Sequence, residues 1–245
     1  MPYRLSAAMI LLAGSTFATL VGYSKTDPAS ARPITASTAL AQPVVVELFQ
    51  SQGCSSCPPA NADLNLIADR GDVLALSFAV TYWDRLGWKD TFGSPRFTAR
   101  QQTYARAGRG EVATPEFIVD GTYPVVGSNR PALNAAIDKA GTLTDGPTIT
   151  KVPSGVRIEA FAKSSPAAIW LVRYDPRTRE VPIRAGENGG RTLPHRNIVR
   201  ELVKLGDWTG QARSFVLPQA SEAGLATAVF LQRGNGGPIV SARKL

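Results

Sequence analysis

Residues 44–59 read Val44-Val45-Val46-Glu47-Leu48-Phe49-Gln50-Ser51-Gln52-Gly53-Cys54-Ser55-Ser56-Cys57-Pro58-Pro59. Three valines followed by Leu48 and Phe49 make an apolar run of the length of a buried strand. Gly53 supplies a turn, and Cys54 and Cys57 follow it. They are the two cysteines of the chain. Leu64, Leu66, Ile67 and Ala68 then recur at roughly helical spacing. A strand that runs into C-x-x-C and a helix is a redox arrangement. Unpaired N–H groups at the helix start favour a thiolate at Cys54. A second thiol one turn further on is close enough to close a disulfide. Two blander readings stand beside this one. A structural zinc site usually takes four ligands, and there is no second cysteine pair. An inert bridge over so short a loop would remove little chain entropy.

Composition narrows the function classes. A chain of 245 residues has room for two small domains beyond a targeting segment. The hydrophobic fraction of 44% and the four Trp suit a globular protein and not a disordered one. The formal charge is +8, but the Arg residues are scattered and no run of five Lys or Arg occurs. Nucleic acid is therefore not the expected partner.

The N-terminus reads as an export signal or an anchor. Arg4 gives a short positive region, and Leu5 to Gly22 is uncharged and largely apolar. Ala29-Ser30-Ala31 and Ala39-Leu40-Ala41 both fit a small-x-small cleavage site. Retained, the apolar stretch is near the lower limit for a spanning helix. Residues 22–41 read as a spacer rich in Ala, Ser, Thr and Pro. Export places the protein in the periplasm or outside the cell, where a disulfide persists.

The remaining elements follow in order. Strand one covers about Val44–Phe49, and helix one starts near Cys57 or Pro58, where first-turn prolines are tolerated. Gly71 is the expected left-handed cap of that helix. Val73–Val80 is apolar enough for a central strand. If these two strands are parallel, the loop Thr81–Gly93 leaves the edge that carries Cys54. Tyr82, Trp83, Trp88 and Phe92 would then wall the cysteines, or pack locally under the loop. Ser94-Pro95 reads as a helix start. Thr114-Pro115 opens a short strand, Asp120-Gly121 signals a hairpin, and Asn129–Ala140 is a further helix. From Pro147 the pattern shifts to short strands: Thr148–Val152, Val156–Phe161, Ala168–Tyr174, Ser214–Leu217, Thr227–Leu231 and Ile239–Ala242. They form a β-rich module that either packs on the first domain or continues its sheet.

The order strand, C-x-x-C, helix, strand, helix, Thr-Pro, hairpin, helix resembles the thioredoxin superfamily over about residues 43–141. The resemblance implies an α/β fold: a thioredoxin-like domain with a central mixed sheet flanked by helices, then a smaller β-rich module. The domains are 1–41 for the signal or anchor and spacer, 42–145 for the thioredoxin-like domain and 146–245 for the module. By resemblance Thr114-Pro115 is the cis-Pro motif facing the disulfide, and Thr114 pairs with a bound substrate strand. Glu47 is similar in place to the buried acid that helps deprotonate the resolving cysteine. Otherwise it is an edge-facing or salt-bridged strand residue. More closely, the stretches Glu47–Ala60, Tyr82–Asp90 and Gly186–Asn197 look like a bacterial family of exported thioredoxin-like proteins of unknown function.

Three functions follow as expectations. The first is a cell-envelope thiol–disulfide oxidoreductase. Cys54, as the more exposed thiol, attacks, Cys57 resolves, and Tyr82, Trp83 and Trp88 border the substrate. Its partners are protein or small thiols and disulfides. No organic cofactor is implied, and a disulfide-linked homodimer would consume the site. The membrane is met only through an uncleaved N-terminal anchor. The second is Cu(I) or other soft-metal handling by Cys54, Cys57 and His195, the single histidine. The third is a non-catalytic binding module. It would use the polar stretch Gly186–Arg200, where Arg191 and His195 are candidates to bind an anion or a partner's carboxylates. That stretch equally reads as a hairpin turn with a solvated basic face.

Overall fold

The computed structural model describes residues 42–162 and 165–245. The expected signal and spacer therefore lie outside the described residues. Among the described residues no helix is long and apolar enough to cross a membrane.

The elements are β1 (Val44–Gln50), α1 (Cys57–Ile67), β2 (Val73–Ala79), a single 3-10 turn (Asp84–Leu86), α2 (Pro95–Arg106), β3 (Glu116–Val119), β4 (Tyr123–Val126) and α3 (Arg130–Ala140). Nine further strands follow: β5 (Ile149–Val152), β6 (Gly155–Ile158), β7 (Ala167–Asp175), β8 (Arg179–Pro182), β9 (Thr192–His195), β10 (Ile198–Trp208), β11 (Arg213–Val216), β12 (Ala226–Arg233) and β13 (Ile239–Lys244). The fold is mixed α/β. A large central sheet is flanked by a few helices, with additional β-rich strands toward the C-terminus.

The central sheet has eight strands in the order β13-β12-β7-β10-β2-β1-β3-β4. β1 and β2 are parallel, with α1 as their crossover. β3 runs antiparallel to β1, and β4 to β3. β7, β10, β12 and β13 thus continue the first sheet, while β5, β6 and β11 form a separate sheet and β8 and β9 another, so both arrangements that the sequence leaves open occur. β10 makes the join, paired in parallel to β2 at Ile198 and Ser77. Asn197, in a left-handed conformation at φ 49°, secures the joint. Its carbonyl accepts from Ser77 N–H, and its Nδ2 donates to Ala75 O at 2.9 Å. The described residues fall within one compact unit.

Period-two alternation along β1 sorts its side chains to two faces. Val44, Val46 and Leu48 pack with Ala60, Leu64 and Ile67 of α1 and Leu133 and Ile137 of α3. Val45 and Phe49 face the other way, toward Phe97 and Tyr104 of α2. That second core runs on through Val172, Tyr174, Ala228 and Phe230, so one apolar layer spans both halves of the sheet. Each such fully buried side chain contributes about 1.5–3 kcal/mol. A three-stranded sheet, β11-β6-β5, covers the opposite face of the C-terminal half through Val156, Ile158 and Phe215 against Ile169, Leu171, Val229 and Leu231.

Several local expectations hold and one fails. Ser94 caps α2, its Oγ accepting from Arg96 N–H, and Pro95 is the first helical residue. Asn129 does the same for α3. Asp120 and Gly121 both take positive φ, as their tight turn requires. Gly71 is not a left-handed cap: α1 stops at Ile67, and Ala68 closes it in a right-handed conformation.

Candidate functional site

The site is built where β1 ends. Its residues leave the sheet at Ser51 and turn through Gly53, and α1 begins at Cys57. Cys54 therefore sits just before the first turn of α1, where backbone N–H groups lack helical partners. Pro58 and Pro59 remove two donors that would otherwise need solvent. Ser51 O accepts from Cys54 N–H at 3.2 Å, and Cys54 O accepts from Cys57 N–H at 3.2 Å.

Both cysteines are free thiols, and both are 0% exposed. The expectation that Cys54 is the more exposed of the two is thus corrected. Cys57 nevertheless lies the deeper of the two, and they differ in their neighbours. The Cys57 thiol donates to Cys54, and this bond is the largest influence holding Cys54 down from 9.0 to about 6. The Ser56 hydroxyl, 3.2 Å from Cys54 Sγ, and the Thr114 hydroxyl act in the same direction, against burial. Cys57 is pushed far up by burial and by the neighbouring Cys54. In the reduced protein, then, one sulfur holds the negative charge and the other holds the proton.

Thr114-Pro115 faces this pair through a cis peptide bond. Thr114 O lies 3.7 Å from Cys54 Sγ and 3.4 Å from Ser56 Oγ. Trp83 Nε1 donates to Thr114 Oγ1 at 2.7 Å. An indole N–H can only donate, so Thr114 Oγ1 must accept and its own proton stays available to sulfur. Tyr82 OH donates to Gln101 Oε1 at 3.3 Å, and burial pushes the phenol up to about 12. Trp83 thus lies against Thr114, and Tyr82 against Gln101 of α2.

Trp88 and Phe92 do not join that wall. They pack beneath the β8–β9 hairpin against Val181, Ile183 and Leu193. Trp88 Nε1 donates to Gln52 Oε1 at 2.9 Å, which ties this small core to the thiol loop. The same loop is held by Asp90, whose Oδ2 accepts from Gln52 N–H at 2.7 Å. Burial pushes Asp90 up to about 6, opposed by the N–H groups of Gln52 and Phe92.

Glu47 takes the salt-bridged alternative. Its carboxylate is fully buried and is held by Arg100 through Nε at 2.5 Å and Nη2 at 2.9 Å. Tyr104 OH also donates to it, and Gln232 Nε2 donates to Tyr104 OH at 3.0 Å. Neither thiol is among its partners. The cause is the alternation of β1, which aims residue 47 at α2. The network floors a cleft of about 810 Å³ between α2 and strands β7, β10 and β12, walled by Trp170 and Leu202.

His195 is also placed differently from the expectation. His195 is 1% exposed, stacked edge-on to Phe92 at 6.1 Å, and neither ring nitrogen has a partner. Burial lowers it to about 4, so the ring is neutral. It therefore offers substrate neither a charge nor a free edge. Among the described residues no three His, Cys, Asp or Glu side chains are grouped to hold a metal, so His195 does not complete a site with Cys54 and Cys57. Arg191 stays exposed, with Nη1 donating to Asn188 Oδ1 at 2.7 Å.

Sequence reasoning missed Asn188 and Glu187 as parts of the site. Asn188 is 0% exposed, and its Nδ2 donates to Gln52 O at 2.9 Å and Cys54 O at 2.8 Å. Glu187 Oε2 accepts from Ser55 N–H at 3.0 Å and from Ser55 Oγ at 2.7 Å. The signal was an amide flanked by glycines, Gly186-Glu187-Asn188-Gly189-Gly190, in a stretch singled out for its cations instead. Gly186 takes φ 74° and packs close to Trp88, which holds the turn against the thiol loop.

Comparison with known proteins gives a family and two structures. A family described as "Protein of unknown function (DUF1223)" matches residues 45–232. A crystal structure of a protein from Agrobacterium tumefaciens is 32% identical, with a TM-score of 0.69, over 84% of this chain and 94% of that one. HBP35 of Porphyromonas gingivalis is 16% identical, with a TM-score of 0.53, over 84% of this chain and 75% of that one. At that identity the second likeness concerns the fold alone. No curated protein matches.

Proposed function

We propose a function for the chain, which belongs to the DUF1223 family of proteins of unknown function: a thiol–disulfide oxidoreductase built on a thioredoxin-like core. The observation that carries this reading is the unequal pair of thiols at the start of α1. Cys54 is held down to about 6, while its neighbour Cys57 keeps the proton. An inert pair has no need of such a division. A nucleophile and a resolving thiol do.

In the reductive direction the Cys54 thiolate attacks one sulfur of a substrate disulfide. The S–S bond breaks, the other substrate sulfur leaves as a thiolate and takes up a proton, and a mixed disulfide remains. Cys57 then gives up its proton and attacks Cys54 Sγ, which releases the second substrate thiol. The protein is left as the Cys54–Cys57 disulfide, with two electrons passed to the substrate. Thr114 and Pro115 shape the facing wall, and Trp83 orients the Thr114 hydroxyl. This exchange uses no organic cofactor. Its substrates are protein or small disulfides, and a covalent homodimer would block it. The uncharged Leu5–Gly22 stretch supports action in the periplasm or outside the cell, beyond the reducing cytosol.

The test is the equilibrium reduction potential of the pair in a glutathione series, read by thiol trapping. A low thiol pKa stabilises the reduced form, so a value near or above about −200 mV is expected, at which the exchange above runs in reverse and the Cys54–Cys57 disulfide oxidises substrate thiols. A value near about −270 mV would make the protein a reductant that needs an electron donor. A pair that never forms, or unchanged exchange by Cys54→Ser, would remove the reading.

A further inference from the structure

The β8–β9 turn does more than close its hairpin. Asn188 anchors it to Gln52 O and Cys54 O, and Gly190 N–H and Ile183 N–H tie its ends to Ile183 O and Arg191 O. On this fixed turn Glu187 projects to Ser55, the residue after Cys54, and accepts two hydrogen bonds there. Those bonds hold its carboxyl below the usual range, so it is ionised. Among the described residues, Glu187 is the one ionised side chain hydrogen-bonded to the Cys54–Cys57 turn. The position also suits an anion, because the free amides of a helix start carry partial positive charge.

Cys54 is 0% exposed, whereas Ser55 and Ser56 reach the surface. Ser55, which meets Glu187, and Ser56, which meets Cys54 Sγ, are therefore the exposed residues next to the buried thiol. The apolar side chains of Leu86 and Val112, 43% and 49% exposed, are available around the same loops. Exposed charges of both signs flank them, Arg85 beside Leu86 and Glu111 beside Val112. Arg184 and Arg191, the cations on either side of the turn, are both exposed, and Arg191 Nη1 donates to Asn188 Oδ1 at 2.7 Å.

We propose that Glu187 is a specificity-determining residue that makes the thiol site favour cationic disulfides over anionic ones. The inference rests on the thiol–disulfide reading above and names the substrate class of that same site. Glu187 acts by charge on the approaching substrate: like charge slows encounter, opposite charge speeds it, and salt weakens both effects.

The experiment is rapid mixing of the reduced full chain with three disulfides: cystamine, hydroxyethyl disulfide and glutathione disulfide. They are cationic, neutral and anionic at pH 7. The quantity read is the ratio of the cystamine to the glutathione-disulfide rate constant. Within one variant that ratio cancels any change in Cys54 reactivity. Glu187→Gln keeps an acceptor for Ser55, and its ratio is expected to fall roughly tenfold at low salt. Glu187→Lys should lower it further, and half-molar salt should bring all three proteins together. A ratio that is the same in all three proteins at low salt would overturn the assignment while leaving the oxidoreductase reading intact. If none of the disulfides oxidises the wild-type pair, the oxidoreductase reading fails, and the substrate preference goes with it.

Discussion

The side chain of Asn188 crosses 134 residues of sequence to hold the carbonyl oxygen of Cys54 at 2.8 Å. It holds Gln52 O at 2.9 Å with the same Nδ2. The C-terminal half of the chain thereby fixes the backbone of the thiol loop. Asn188→Ala leaves the carbonyl of Gln52 without a donor and that of Cys54 with Cys57 N–H alone, which should cost about 1–3 kcal/mol in urea unfolding. Iodoacetamide should also alkylate Cys54 faster in the variant than in the parent. An unchanged alkylation rate would show that the turn does not restrain the loop.

Cys54 should titrate well below an ordinary thiol. Its alkylation rate should be near its plateau at pH 8 and fall as pH drops through about 6, because only the thiolate reacts. Cys57→Ala removes the largest stabilising bond, so the midpoint should move up by a unit or more. A wild-type midpoint near pH 9 would remove the division of labour between the two thiols.

Glu47 should matter for stability and not for thiol chemistry. Its partner Arg100 lies with it in the core, the two side chains 0% and 6% exposed. Breaking such a pair strands a buried charge, and Arg100→Met should cost about 3–5 kcal/mol. Glu47→Gln should be destabilising in the same sense. Neither should move the pH midpoint of Cys54 alkylation. A shift of a full unit in Glu47→Gln would restore this residue to the thiol machinery.

His195 should make the fold sensitive to acid. Its pKa is about 4 folded, against 6.5 for the free side chain. Between those values the unfolded chain binds the proton and the folded one does not. Its contribution is therefore fully present above pH 6.5 and is lost as pH falls toward 4, about 3 kcal/mol in all. Asp90 and Asp120, pushed up to about 6 and about 7, act in the opposite sense. Subtracting the stability of His195→Phe from that of the parent at each pH cancels those carboxylates. A flat difference between pH 4 and 7 would rule out the buried neutral ring.

Local chemistry made the first half of the fold readable. The alternation of β1, the Ser94 and Asn129 caps and the Asp120-Gly121 turn each depend on residues within a few positions of one another. β10 was not readable in the same way. Its register slips between Val199 and Glu201 and again between Lys204 and Gly206, so its buried side chains follow no single period. The turn of the β8–β9 hairpin was legible but its strands were not, because their apolar residues Val181, Ile183 and Leu193 are few and lie among polar and charged neighbours.

The amino-acid sequence by itself determined the place of the thiols, a buried strand leading into C-x-x-C at a helix start, because that motif is local and its chemistry follows from helix-end amides. It also identified Thr114-Pro115 and the aromatic loop as neighbours worth testing. Only the tertiary structure decided what surrounds them. The far half of the chain extends the same sheet, Glu47 turns away to Arg100, and His195 is a buried neutral ring. Glu187 and Asn188 close on the loop that carries Cys54. Each of these depends on pairing across many tens of residues, where the direction of one side chain is set by strand register and by the packing of the opposite face.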